Sequence, residues 1–169
     1  AGAARVDVVD RRRGWGRGGG AGGPGPDPRA GEVRTGRVTV GWGRDRQDDR
    51  VLEGRTGRYL AGNEKPEAPD QAALKRIRQL AAHEVGHTLG LDHNFAASTY
   101  DRGSVMDYPA PRVDIRNGKL DLSNAYAHGI GAFALYSIRY VYAQFPPGAA
   151  QAKELGALVP DAVHPGLAF

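Results

Sequence analysis

The chain of 169 residues contains no cysteine and a single methionine. Disulfide bonds and thiolate metal ligands are therefore excluded. No apolar run approaches the roughly 18 residues needed to span a bilayer. The opening residues show no charged-then-apolar signal segment. The chain begins at Ala1, so a mature product or an N-terminally truncated fragment is expected. Charge of one sign is also limited. A net charge of +4 favours solubility and loose attraction to anions, and does not by itself indicate nucleic acid.

Apolar residues make up 40% of the chain, enough for a modest core in one domain. They are unevenly placed. About half of the 25 glycines precede residue 45, and the sustained apolar pattern follows residue 70. "ARVDVVD" (4–10) alternates weakly and reads as a strand. "RRRGWGRGGGAGGPGPDP" (11–28) reads as a low-complexity loop, because so much glycine and proline resists both helix and ladder. "GEVRTGRVTVGW" (31–42) reads as a strand or bent hairpin. A helix is predicted after Asp70, which can cap its first turn, with Gly90 as its stop. At 100° per residue, Leu74, Ile77, Ala81, Val85 and Thr88 share one side, expected to pack on a sheet. Arg76, His83 and His87 fall nearly opposite. A second helix is predicted over 122–145, weakened in its first half by Gly129 and Gly131, followed by an extended or poorly ordered tail.

Three of the five histidines lie within "HEVGHTLGLDH" (83–93). His83 and His87, four apart on a helix, are separated by about 6 Å along the axis on one face. Gly90 lets the backbone turn sharply, because it has no Cβ to forbid a left-handed conformation. His93 can then swing back toward the same ion. Three neutral nitrogens with a fourth position open to water describe a catalytic zinc site, binding one ion. Glu84 points about 100° around the helix from His83. There it can act as general base toward a zinc-activated water and pass the proton to a leaving amine. Asp92 and Asp107 lie nearby in sequence; either could hydrogen-bond an imidazole N–H, but both read first as solvated surface groups. His128 and His164 have no partner spacing and read as non-ligands.

The HExxHxxGxxH pattern at 83–93, followed by "SVMDYP" (104–109), resembles the signature of metzincin zinc peptidases. The resemblance implies that Met106 forms an apolar floor beneath the histidines without binding zinc. It implies that Tyr108 ligates zinc through its phenol oxygen or hydrogen-bonds the oxyanion. "DPRAGEVRTGRVTVG", "RQLAAHEVGHTLGLDHNFAASTYDRGSVMDYPAP" and "NGKLDLSNAYAHGIGAF" further resemble the catalytic segment of large, multidomain, exported bacterial zinc-dependent metalloproteases. That likeness implies a periplasmic, secreted or surface location and other domains on a longer chain. It also implies that "GEVRTGRVTV" is the edge strand lining the cleft and pairing with extended substrate.

The expected architecture is α+β. A small twisted mixed sheet packs on a central zinc-binding helix, and a second helix follows the methionine turn. Residues 1–147 form a partial catalytic domain, and 148–169 a tail or the start of a following region. The expected activity is zinc-dependent endopeptidase, acting on peptide or protein substrates. A zinc-binding, catalytically weak remnant serving as a binding module is the alternative. The arginine–glycine run at 11–23 raises a second alternative, binding of single-stranded nucleic acid by phosphate pairing and stacking. One short run with one tryptophan and no nucleic-acid-binding fold weighs against it.

Overall fold

The computed structural model describes residues 5–8, 20–31, 33–41, 50–54, 57, 69–146 and 148–159. Strands β1 (Arg5–Val8), β2 (Gly20–Pro26) and β3 (Val33–Val40) form one sheet in the order β1–β3–β2. β1 runs parallel to β3 and β2 antiparallel to it, so the sheet is mixed as expected. In β3, Gly36 and Val38 are buried while Thr35 and Arg37 face solvent, the two-residue period of a strand with one covered face.

Two expectations are corrected here. β3 is the central strand, and the antiparallel edge is β2. The segment 20–26, which composition assigns to a loop, is that edge strand; residues 11–19 of the same run lie outside the described residues. Pro24 and Pro26 have no N–H to offer, and an edge strand tolerates this because, among the described residues, no further strand pairs with its outer side. The strand's far end is secured by Asp27, which accepts the Arg29 backbone N–H at 2.9 Å and pairs with Arg34 at 3.2 Å. The Arg29 guanidinium, and then its backbone N–H, hold the Asp27 carboxyl below the usual carboxylate range.

Helix α1 spans Pro69–Thr88. It opens one residue before Asp70, which therefore lies inside the first turn rather than at the cap. Proline suits a first helical position, where its missing N–H would have no partner. The stop is as predicted. Gly90 sits at φ +86, Gly90 N–H donates to the His87 carbonyl, and Leu91 N–H reaches back to the Gly86 carbonyl at 3.0 Å. This paired closure is the Schellman arrangement.

The expected packing side of α1 is only partly the observed one. Thr88 is buried against the sheet as expected, but Leu74 is exposed, and Ala72, Ala73, Leu80, His83 and Glu84, none of them in the expected set, are buried. The helix has two different neighbours along its length. Its first half packs Ala72 with Leu52, Leu122, Ala125 and Tyr126. Its second half meets the glycines of β2 and β3: a Cβ on Gly22 would overlap the Glu84 carbonyl oxygen, and one on Gly36 would lie 2.7 Å from Thr88 Cβ. A leucine–isoleucine stripe is therefore not what joins helix to sheet.

Past α1, a 3-10 segment covers Phe95–Tyr100. A small hairpin, β4 (Asp114–Arg116) and β5 (Lys119–Asp121), closes over Asn117-Gly118, the two-residue turn signal that favours such hairpins. Helix α2 is shorter than predicted, Ala132–Tyr142, because residues 122–131 form turns ahead of it. Its start is tied to the methionine loop by Val105 N–H to the Ile130 carbonyl (2.8 Å) and Phe133 N–H to the Gly103 carbonyl (2.9 Å). Its end is tied to α1 by the Tyr142 hydroxyl, which donates to the Leu89 carbonyl at 2.8 Å. In place of an extended tail, Ala149–Leu158 form helix α3. Among the described residues no helix is long and apolar enough to cross a membrane.

Candidate metal centre

His83 and His87 project from one face of α1, and the turn at Gly90 returns His93 to them. The Nε2 atoms form a nearly equilateral triangle with edges of 3.1 Å (83–87), 3.2 Å (83–93) and 3.2 Å (87–93). The second nitrogen of each helical imidazole is already committed. His83 Nδ1 donates to the Val105 carbonyl at 2.7 Å, and His87 Nδ1 donates to the Leu91 carbonyl at 2.9 Å. A carbonyl only accepts, so Nδ1 carries the proton and, in the neutral ring, Nε2 presents a lone pair. Burial pushes the His83 pKa down, which keeps that ring neutral, although the carbonyl bond to Val105 acts in the opposite sense. Two lone pairs facing each other at 3.1 Å repel unless a cation lies between them. A tetrahedral ion at roughly 2.0–2.1 Å from each nitrogen would space them at roughly 3.3 Å, close to the observed edges. The donor set thus fits zinc: three imidazoles and no thiolate.

The methionine loop packs against α1 and supplies one of the carbonyls that orient the imidazoles. Met106 is fully buried and packs against α1 at Gly86, where a Cβ would overlap its sulfur. Val105, Met106 and Ala134 form a small apolar cluster with Ala82, Leu91 and Ile130 packed on it. The Met106 carbonyl accepts the Asn94 N–H at 3.0 Å, which fixes the chain just after His93. Met106, His83 and the chain just after His93 are therefore joined through one short loop.

Glu84 is buried on the side of α1 facing β2. The Gly22 N–H bonds to its carboxylate, and Gly20 lies so close that a Cβ there would overlap Oε1. Burial pushes the Glu84 pKa up, opposed by the nearby His87 and His93 and by the Gly22 N–H. Tyr108 is half exposed and places its hydroxyl 3.0 Å from His93 Nε2, beside the nitrogen triangle.

The reading of Asp107 as a solvated surface group is corrected. It is buried, and it accepts the Ser98 hydroxyl and the Tyr108 N–H, bracing the loop between floor and tyrosine. Asp92 is exposed as expected and accepts the His93 backbone N–H at 2.8 Å. His128 is exposed and outside the cluster, and His164 lies outside the described residues. The residues that sequence reasoning missed are the orienting carbonyls of Leu91 and Val105, the Gly22 N–H, and Phe95 stacked on His93. Backbone groups leave no mark in a sequence. The phenylalanine two places after the last ligand was a visible signal.

The close approach of β2 has a measurable consequence. Gly22→Val would set a side chain against the Glu84 backbone, which cannot swing away as a flexible side chain would. Overpacking of this kind costs about 1–3 kcal/mol. The urea midpoint of the variant should fall accordingly, and an unchanged midpoint would show that β2 does not rest on α1.

The family model described as Met-zincin matches residues 65–169, a stretch that takes in α1, the three histidines and the Met106 loop. No curated protein and no solved structure matches the chain.

Proposed function

Because this chain belongs to the Met-zincin family, we propose that it is a zinc-dependent endopeptidase in which His83, His87 and His93 hold one catalytic ion and Glu84 is the general base. The observation that carries the reading is the meeting of three Nε2 atoms beside a buried glutamate that is not one of them. Bound zinc supplies Lewis acidity, polarising a carbonyl and bringing the pKa of a coordinated water to about 7.

The protein groups do the rest. The Glu84 carboxylate takes the proton released as water oxygen adds to the peptide carbonyl carbon. It returns that proton to the amine nitrogen as the C–N bond breaks, leaving a carboxylic acid and an amine. Burial raises the proton affinity of Glu84, which suits a group that must both accept and give back a proton. The Gly22 N–H holds the carboxylate in place through both transfers. The Tyr108 hydroxyl, on the open side of the triangle, donates to the carbonyl oxygen as it gains charge; such contacts are typically worth about 3 kcal/mol. β2 is the edge strand that lies against Glu84, and backbone carbonyls on its outer side, where Pro24 and Pro26 offer no N–H and the Gly22 N–H is held by Glu84, are the groups an extended peptide can meet there.

Zinc analysis combined with digestion of a broad peptide library tests the reading. One zinc per chain and internal cleavage that a chelator abolishes are expected. Stoichiometric zinc with no cleavage of any peptide would overturn the endopeptidase reading in favour of a zinc-bearing binding module.

A further inference from the structure

Phe95 is an apolar ring left 60% exposed at the rim of the metal centre. It is nonetheless held in a defined place. Its ring stacks on His93 with centroids 5.3 Å apart and planes at 28°, and on Tyr108 at 5.9 Å and 27°. Its backbone opens the 3-10 segment Phe95–Tyr100, directly after the buried Asn94, whose N–H is bonded to the Met106 carbonyl at 3.0 Å. The Ser98 hydroxyl ties the same segment to Asp107. The ring, His93 and the methionine loop are therefore joined by hydrogen bonds along one stretch of chain.

Single exposed apolar side chains are ordinary on protein surfaces. This one differs in its position and in the continuity of its surface. Phe95 and the half-exposed Tyr108 present adjoining aromatic rings beside the nitrogen triangle. A ring serving only to brace His93 would gain by being covered, and Phe95 is not.

We propose that Phe95, together with the Tyr108 ring, forms an aromatic shelf that selects an apolar, preferentially aromatic, substrate side chain next to the scissile bond. The proposal rests on the endopeptidase reading and adds the class of side chain that the site takes. Aromatic rings prefer offset or edge-to-face neighbours and are attracted beyond simple area burial. An anionic side chain placed on the shelf would lose water without gaining a partner.

The test separates binding from turnover. Capped hexapeptides differing only at one central position (Phe, Leu, Ala or Asp) are titrated into the zinc-loaded Glu84→Gln variant. The Phe peptide should bind roughly tenfold tighter than the Ala peptide, with Leu between them and Asp weakest. In the same background Phe95→Ala should reduce the Phe-over-Ala preference to within about twofold, at unchanged zinc stoichiometry, and Phe95→Tyr should restore it. A purely bracing role would weaken zinc or all four peptides alike, without changing their ratios. Equal binding of all four peptides, or a preference that survives Phe95→Ala, would overturn the proposal. Cleavage by the parent is read separately and bears on the endopeptidase reading alone.

Discussion

Glu84→Gln is expected to keep its zinc and lose peptide hydrolysis by about 10²–10⁴-fold, the span usual for a removed general acid–base group. The substitution keeps the shape of the side chain and the Gly22 N–H contact while removing the ability to take a proton. Glu84 is not among the three converging residues, so one zinc per chain should remain. The loss should fall on kcat, with KM little changed, because the group acts on the reacting atoms rather than on the remainder of the peptide. Single-turnover kinetics and metal analysis of the same preparation check this. A variant that cleaves as fast as the parent would remove Glu84 from the mechanism.

His87→Ala is expected to abolish both metal binding and activity. Two of the three edges of the nitrogen triangle end on His87, and its Nδ1 bond to the Leu91 carbonyl links the triangle to the turn after α1. Zinc that binds the folded chain and not the unfolded one stabilises by about 4 kcal/mol at a thousandfold excess over Kd. For a domain of this size that is roughly a 10 °C rise in Tm. The parent should therefore lose about that much Tm in a chelator, whereas His87→Ala should already melt at the lower temperature and ignore the chelator. A chelator-sensitive Tm in the variant would mean that the ion sits elsewhere.

The metal centre was legible because its chemistry constrains residue type and spacing together. His83 and His87 had to be one helical turn apart, Gly90 had to adopt a positive φ, and His93 had to follow the turn. Each requirement is local in sequence. The strand β3 and the stop of α1 were legible for the same reason. What escaped was set by tertiary contact. "GAGGPGP" has the composition of a loop, yet it pairs with β3 along its length, and its missing side chains let it lie on Glu84. Leu74 fits a helical apolar stripe but faces solvent; the close approaches of the sheet to α1 at Glu84 and Thr88 lie near its C-terminal end. Asp107 was read as solvated since nothing local reveals that Ser98 and the Tyr108 N–H close around it.

The most direct measurement is X-ray absorption spectroscopy of the chain loaded with one equivalent of zinc. Three imidazole nitrogens and one oxygen donor at about 2.0–2.1 Å are predicted. A spectrum requiring only one or two imidazoles would mean that His83, His87 and His93 do not share an ion, contradicting the arrangement on which both the zinc site and the proposed hydrolysis depend.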